Sequence, residues 1–320
     1  MLSVALSPYL EAWPLLGDQN IAASLTPPQQ AAMYSQPVAG AERSLPPNAM
    51  RVVGNLVLLL ARSLKASADL FEHLSNVATG LLPTLLPPAQ LAALIRENYD
   101  ALYTPALLRS LDVENYCLLR WETEVLSRYG ISSGRMLILG SGCGREAIAL
   151  ARKGLIVVGV DTNHPVLRKS QQIANTIGLP AHFHQADFLQ LPYAPANFDY
   201  VFLGSTMYST VPGSTRRQAW LVDLCRLVRP NGLVILSFSR AATPVSRRVS
   251  FCAQVNQWLV TFPGANKSYE PGDDCAQGHF FHAFQTEDEV RRELIGAGAV
   301  IRELNWAEGF ALLTNRVSHG

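Results

Sequence analysis

From Arg135 onwards, short aliphatic runs alternate with stretches of helical period, and this alternation limits the folds open to the chain more than any other feature. "RMLILG" leads into "GREAIALARKG", and "LIVVGVD" leads into "HPVLRKSQQIANTIG". "AHFHQAD", "FDYVFLG" and "LVILSFS" follow, the last two separated by "TRRQAWLVDLCRLVRPNG". Nearly continuous apolar strands are the mark of a sheet covered on both faces, and the intervening stretches are long enough to cross over it as helices. The pattern predicts a doubly wound, mostly parallel α/β sheet within residues 131–320. Its later part reads less regularly. A helix is expected near 245–260, then the loop-like "FPGANKSYEPGDDCAQG", the aromatic strand "HFFHAF", and a helix in which Thr286 and Glu289 have capping-box spacing. "VIRELNWAEG" and "FALLTNRV" close the domain.

Upstream the texture differs. Residues 1–50 read as a proline-rich arm, and residues 51–130 as a helical cap or appendage with leucines and valines three and four apart. Such a cap can cover the carboxyl edge of the sheet and exclude water. Charged residues make up only 16% of the 320-residue chain, against roughly 25% in an average globular protein, so a large core or a homo-oligomer interface is expected. A net charge of +1 argues against nucleic acid as a partner. The five cysteines are scattered with no C-x-x-C pair, which suits reduced thiols and argues against a structural zinc site. The opening residues make a poor signal peptide and "VVGNLVLLLA" is too short to span a bilayer, so a cytoplasmic protein without a membrane segment is expected.

The first strand runs into Gly140, Gly142 and Gly144, and the next helix starts beside Gly144 or Arg145. Glycines there let a ligand approach the bare backbone, and the free amides of a helix start make the turn electropositive. Asp161 closes the second strand about twenty residues on, where an acid can accept hydrogen bonds from the hydroxyls of a ribose. A dinucleotide-binding turn needs a third glycine where Arg145 stands. Asp187 and the pair Leu203–Gly204 fall at the carboxyl ends of later strands, the edge at which open α/β sheets bind ligands. Asp199 opens its strand at the opposite edge and reads as structural.

The stretch from Arg135 to the C-terminus resembles the class I S-adenosylmethionine-dependent methyltransferases, whose first motif is acid-leucine-glycine-x-glycine-x-glycine. Gly140, Gly142 and Gly144 match the glycines, while Ile138 stands at the acid's position. The resemblance implies a Rossmann-like methyltransferase sheet and S-adenosyl-L-methionine as cofactor. It assigns Gly140, Ser141, Gly142, Gly144, Asp161 and Thr162 to the cofactor, with Asp187 and Phe188 bordering its adenine and Leu203 and Gly204 beside it. It also places the segment before the first strand close to the cofactor, which adds Tyr103 and Trp121.

Methyl transfer from a sulfonium needs alignment and dryness more than acid–base machinery. The expected reaction is direct in-line transfer to an N or O atom of a small molecule. Alternatives are a protein acceptor, transfer of an aminopropyl group, or a non-catalytic interaction protein of the same fold. Ser205, Thr206, Tyr208 and Ser209 follow the fourth strand and are candidates for the acceptor side. Tyr208 is the first choice there, with His282 as a second orienting or proton-accepting group. Arg216 and Arg217, in the first turn of a helix, read as a solvated face unless a buried anion meets them. No metal site is expected, because His182 and His184 share a strand face without a third ligand.

Overall fold

The computed structural model describes residues 47–110, 116–242, 247–276 and 279–314. The proline-rich arm over residues 1–46 therefore lies outside the described residues. Two compact units divide the chain at Leu74/Ser75, inside the long first helix. In the first unit, helix α1 (Pro47–Thr79) exposes large apolar residues including Leu56, Leu60, Leu64 and Phe71. Among the described residues no helix is long and apolar enough to cross a membrane.

The second unit is built on a seven-stranded sheet. Its strands are β1 (Arg135–Leu139), β2 (Ile156–Asp161), β3 (Ala181–Gln185), β4 (Phe198–Leu203), β5 (Val228–Ser237), β8 (Val300–Asn305) and β9 (Phe310–Thr314). The spatial order is β3-β2-β1-β4-β5-β9-β8. Neighbours from β3 to β5 are parallel, and β9 is antiparallel to both β5 and β8. Successive side chains of a strand point to opposite faces. Leu137 and Leu139 thus join one core with Val201 and Leu203, and Met136 and Ile138 join the other with Phe202. The first core is closed by α8 (Ser214–Leu227) and α10 (Glu287–Gly296), through Trp220, Leu221, Leu224, Val290 and Leu294. The second is closed by α5 (Arg120–Arg128), α6 (Arg145–Arg152) and α7 (His164–Thr176), through Val125, Leu126, Ile148, Leu150 and Ile173. This is the doubly wound architecture that the alternation predicted. Asp199 is structural as expected: its carboxylate accepts from the Arg135 amide at 2.7 Å and from Arg229 at 2.8 Å, at the amino edge of the sheet.

The irregular stretch after β5 forms a second layer with the helices upstream of β1. α9 (Arg247–Leu259) fits the helix expected there, and β7 (His279–His282) fits the aromatic strand. β7 pairs antiparallel with β6 (Asp273–Ala276), a strand that its acidic sequence hides. α2 (Leu82–Leu85) and α3 (Pro88–Leu102) begin with the tolerated first-turn prolines. Polar side chains knit the layer together: Asn256 donates to the Gly80 carbonyl, Asn266 to that of Pro83 (2.8 Å each), and Thr79 to that of Cys275 (3.1 Å). Leu91 of α3 is buried with Cys275 and Phe280. Beyond α3 a short helix, α4 (Pro105–Ser110), has no buried residue.

Candidate active site

The strand order reverses between β1 and β4, and the crevice outside the carboxyl ends there is the ligand-binding position of an open α/β sheet. Gly140, Gly142 and Gly144 all carry positive φ, at 63°, 48° and 81°. At Gly142 this conformation combines with crowding, because a Cβ would stand 2.8 Å from the Tyr103 hydroxyl. Gly144 is the left-handed N-cap of α6. The Ser141 hydroxyl is buried without a hydrogen-bond partner.

Asp161 fastens this loop to its neighbour. Its Oδ2 accepts from the Gly142 amide at 2.9 Å and its Oδ1 from the Asn163 amide at 3.0 Å. Burial raises the Asp161 carboxyl above its ordinary range despite these amides, so the carboxylate retains a demand for donors. Thr162 is half-buried, and its carbonyl accepts from Gln185. Asp187 caps the turn that follows it, accepting from the Leu189 amide at 2.9 Å. The Phe188 ring lies against Trp220, whose indole donates to the Phe188 carbonyl at 2.8 Å. A groove of about 430 Å³ between the Phe188–Pro195 segment and α8 includes none of the glycine loop.

At the end of β4, Leu203 is buried, and Gly204 lies against Glu146, where a Cβ would come within 2.8 Å of the carboxylate. Ser205 and Thr206 then both adopt left-handed backbone, φ 49° and 56°. Two successive non-glycine residues in that region hold strain of the kind found at functional loops. The Thr206 amide donates to Ser237, whose hydroxyl donates to the Leu203 carbonyl, so the strained turn is tied down from β5. Ser205 is exposed at this edge and Thr206 half-buried. These two expected acceptor-side residues stand at the crevice.

Tyr208 does not. It is fully buried between Trp220 and Phe284, and its hydroxyl donates to Glu293 at 2.8 Å. A short 3-10 turn, Met207–Thr210, folds it back into the core. His282 is also withdrawn, with Nδ1 2.9 Å from Asp273 and Nε2 3.5 Å from Glu289. Burial works against its charge, but the hydrogen bonds to Asp273 and Glu289 prevail and hold its pKa above the ordinary 6.5. Trp121 stacks on Phe202 and Phe310 in the sheet core, at ring separations of 6.0 and 5.0 Å, and not on the glycine loop. An amphipathic spacing cannot distinguish a ring on a ligand from one in a core, and packing decided all three.

Arg217 corrects a further expectation. Arg216 is exposed, but Arg217 is completely buried. Its guanidinium holds both oxygens of Glu293, at 2.8 and 2.7 Å, and Glu270 at 2.8 Å. Glu270, Asp273 and His282 bring atoms of metal-ligating type within 4.8 Å of one another. The oxygens of Glu270 are engaged by Ser214 and Arg217, and those of Asp273 by His282 and the Glu270 amide, which makes the cluster a closed ion-pair network.

Two groups absent from the sequence expectation complete the crevice, and both lie on α3. Asp100 accepts from the Asn163 side chain at 2.7 Å, and Arg96 reaches Asp187 at 3.4 Å. The Tyr99 ring packs tilted, at 4.9 Å, against His279, whose Nδ1 is buried without a partner and whose pKa is lowered by burial. The sequence shows no periodic signal for these individual partners, which follow only from folding.

Residues 137–236 match the family model described as a methyltransferase domain. No curated protein sequence matches the chain. Among solved structures, a 1,6-didemethyltoxoflavin-N1-methyltransferase of Burkholderia thailandensis, with 1,6-didemethyltoxoflavin and S-adenosylhomocysteine bound, is 17% identical with a TM-score of 0.50. The alignment covers 72% of this chain and 88% of that one. A SAM-dependent methyltransferase of Methanosarcina mazei is 19% identical over 60% of this chain and 96% of its own, with a TM-score of 0.48. At these identities the likeness is one of fold.

Proposed function

We propose that this protein, whose residues 137–236 match a methyltransferase domain, transfers a methyl group from S-adenosylmethionine to a nitrogen or oxygen atom of a small-molecule acceptor. The observation that carries the reading is the glycine loop joined to Asp161 at the reversal of strand order, with the Gly142 amide on its carboxylate at 2.9 Å. The donor-binding residues are Gly140, Ser141, Gly142 and Gly144 around the methionyl portion, Asp161 and Thr162 at the ribose, and Asp187 and Phe188 at the adenine. Leu203, Gly204 and Tyr103 complete that side. The residues fit such a group: the Ser141 hydroxyl is buried and unpartnered, and the burial-raised Asp161 carboxyl has reason to accept hydroxyl hydrogens.

When bound, the sulfonium supplies an activated methyl group. What the chain must add is position and dryness. Asp161 holds the ribose and sets how far the donor enters. Ser205 and Thr206, strained and exposed or half-buried at the end of β4, face the acceptor. The layer formed by α3 and the β6–β7 hairpin excludes water. Tyr99 and His279 lie within that layer, their ring centroids 4.9 Å apart. A reduced cytoplasmic setting accords with the five free cysteines.

Isothermal titration with S-adenosylhomocysteine tests the donor site, with micromolar binding expected; absence of binding at millimolar ligand overturns it. Mass analysis of acceptor mixtures incubated with methyl-labelled S-adenosylmethionine separates methyl from aminopropyl transfer.

A further inference from the structure

Among the described residues nothing covers the middle of α1, where residues 51–75 are exposed throughout. Val53, Val57, Leu60, Leu64, Ser67, Phe71 and Leu74 recur along it in alternating steps of four and three. That is the seam of a coiled coil, sustained over three heptads. The residues beside the seam are Gly54, Leu56, Ala61, Ser63, Ala68 and Leu70, none of them charged. Arg51, Arg62, Lys65, Asp69 and Glu72 all fall on the opposite face. The eight large apolar side chains of seam and flanks are each 48–71% exposed. A contiguous apolar face of this kind on a helix surface marks an interaction site.

A second copy of the chain supplies a matching face. When two α1 helices lie antiparallel with Leu64 against Ser67 of the second copy, Leu60 meets Phe71 and Val57 meets Leu74, and the two-fold axis repeats each layer. Both copies use the same surface, so the contact closes at two chains. The charges select this direction. α1 is basic up to Lys65 and acidic from Asp69 to Glu72. The antiparallel pair sets Arg62 level with Asp69 of the second copy and opposes the two helix dipoles, whereas a parallel pair sets like charges side by side. The size also suffices. A fully buried apolar side chain removes roughly 60–120 Å² from water, so eight of them, about half to two-thirds exposed, contribute about 250–650 Å² per copy. With apolar atoms making up roughly 60% of an interface, each copy buries about 400–1,100 Å², which brackets the ~800 Å² per partner of a stable complex.

We propose that this protein is a homodimer joined through the Val53–Leu74 face of α1, with the two helices antiparallel. Leu60, Leu64 and Phe71 are its central anchors, and Gly54, Ala61 and Ala68 beside the seam let the two backbones approach closely. The interface lies on α1 alone and does not depend on the donor reading above.

Analytical ultracentrifugation of the full chain tests the interface, and the wild type should sediment as a dimer at micromolar concentration. Leu60→Glu/Leu64→Glu places two carboxylates in the seam of each copy and should raise the dimer Kd about a hundred-fold or more. Asn55→Glu, on the opposite face, should leave it within about two-fold. Near-ultraviolet circular dichroism like that of the wild type shows that both variants are folded. Nitroxide labels at Asn55→Cys in a Cys117→Ser background read the direction, since the other four cysteines are buried. In the antiparallel register position 55 lies level with Asn76 of the second copy, so the labels should stand about 30–40 Å apart. Parallel helices bring them within about 20 Å. A monomeric wild type overturns the proposal, whether α1 is then bare, covered by residues 1–46 or bound to lipid vesicles. A dimer that survives Leu60→Glu/Leu64→Glu, or labels at the shorter distance, overturns it as well.

Discussion

At the scale of single residues, Asp161 has the heaviest task. It already accepts two backbone amides that shape the loop, and burial raises its pKa. Asp161→Ala therefore removes a loop tie and, on the proposed donor reading, a ligand contact. With charge-assisted hydrogen bonds at about 1.5–3 kcal/mol, affinity for S-adenosylhomocysteine should fall by one to two orders of magnitude in isothermal titration. Donor hydrogen bonds favour the carboxylate, so the pKa of bound Asp161 lies below that of the free form. Affinity is accordingly complete above the raised free pKa and declines as pH falls through it. The place of Asp161 beside the glycine loop was legible because an acid ends the second apolar strand. Tyr208, Trp121 and His282 were misread because an aromatic or imidazole beside a site serves equally well in the core.

Elements rather than residues explain Arg217. A cation in the first turn of α8 opposes the helix dipole, yet it is buried against Glu293 of α10 and Glu270 of the β6 approach. It fastens three elements behind the crevice. Removing one partner of such a pair leaves an uncompensated buried charge, so Arg217→Ala should cost about 3–5 kcal/mol in denaturant unfolding. Tyr208→Phe should cost only about 1–2 kcal/mol, the price of one buried hydrogen bond, and leave S-adenosylhomocysteine affinity unchanged; a large loss of affinity would return Tyr208 to the site. His282 belongs to the same network. Its folded pKa lies above its ordinary 6.5. The stability it contributes is thus full below about pH 6.5 and lost as pH rises through the folded pKa. The Tm advantage of the wild type over His282→Gln should therefore shrink as pH rises above about 6.5.

On the scale of the molecule, the proposed donor site draws on loops after β1, β2, β3 and β4 and on a helix that precedes them all. Ligand binding should therefore stabilise the second unit as a whole. At one hundred times Kd, S-adenosylhomocysteine should add about 2.7 kcal/mol, read as a thermal shift of roughly 5–10 °C for a unit of this size. Asp161→Ala should lose most of that shift at the same ligand concentration, whereas Tyr208→Phe should keep it.

The sequence alone determined the sheet, because nearly continuous apolar runs alternating with period-3.6 stretches mark strands covered on both faces by helices. It also determined the glycine loop and Asp161, since backbone conformations closed to other residues leave a local signature. Tertiary structure alone decided which polar groups meet. β6 reads as a loop until β7 pairs with it, Arg217 reads as solvated until two carboxylates close over it, and Arg96, Asp100 and Tyr103 read as an ordinary helix face. Contacts between residues about 40 to 90 positions apart leave no periodic trace in either segment. Their energy appears only when the folded chain brings them together.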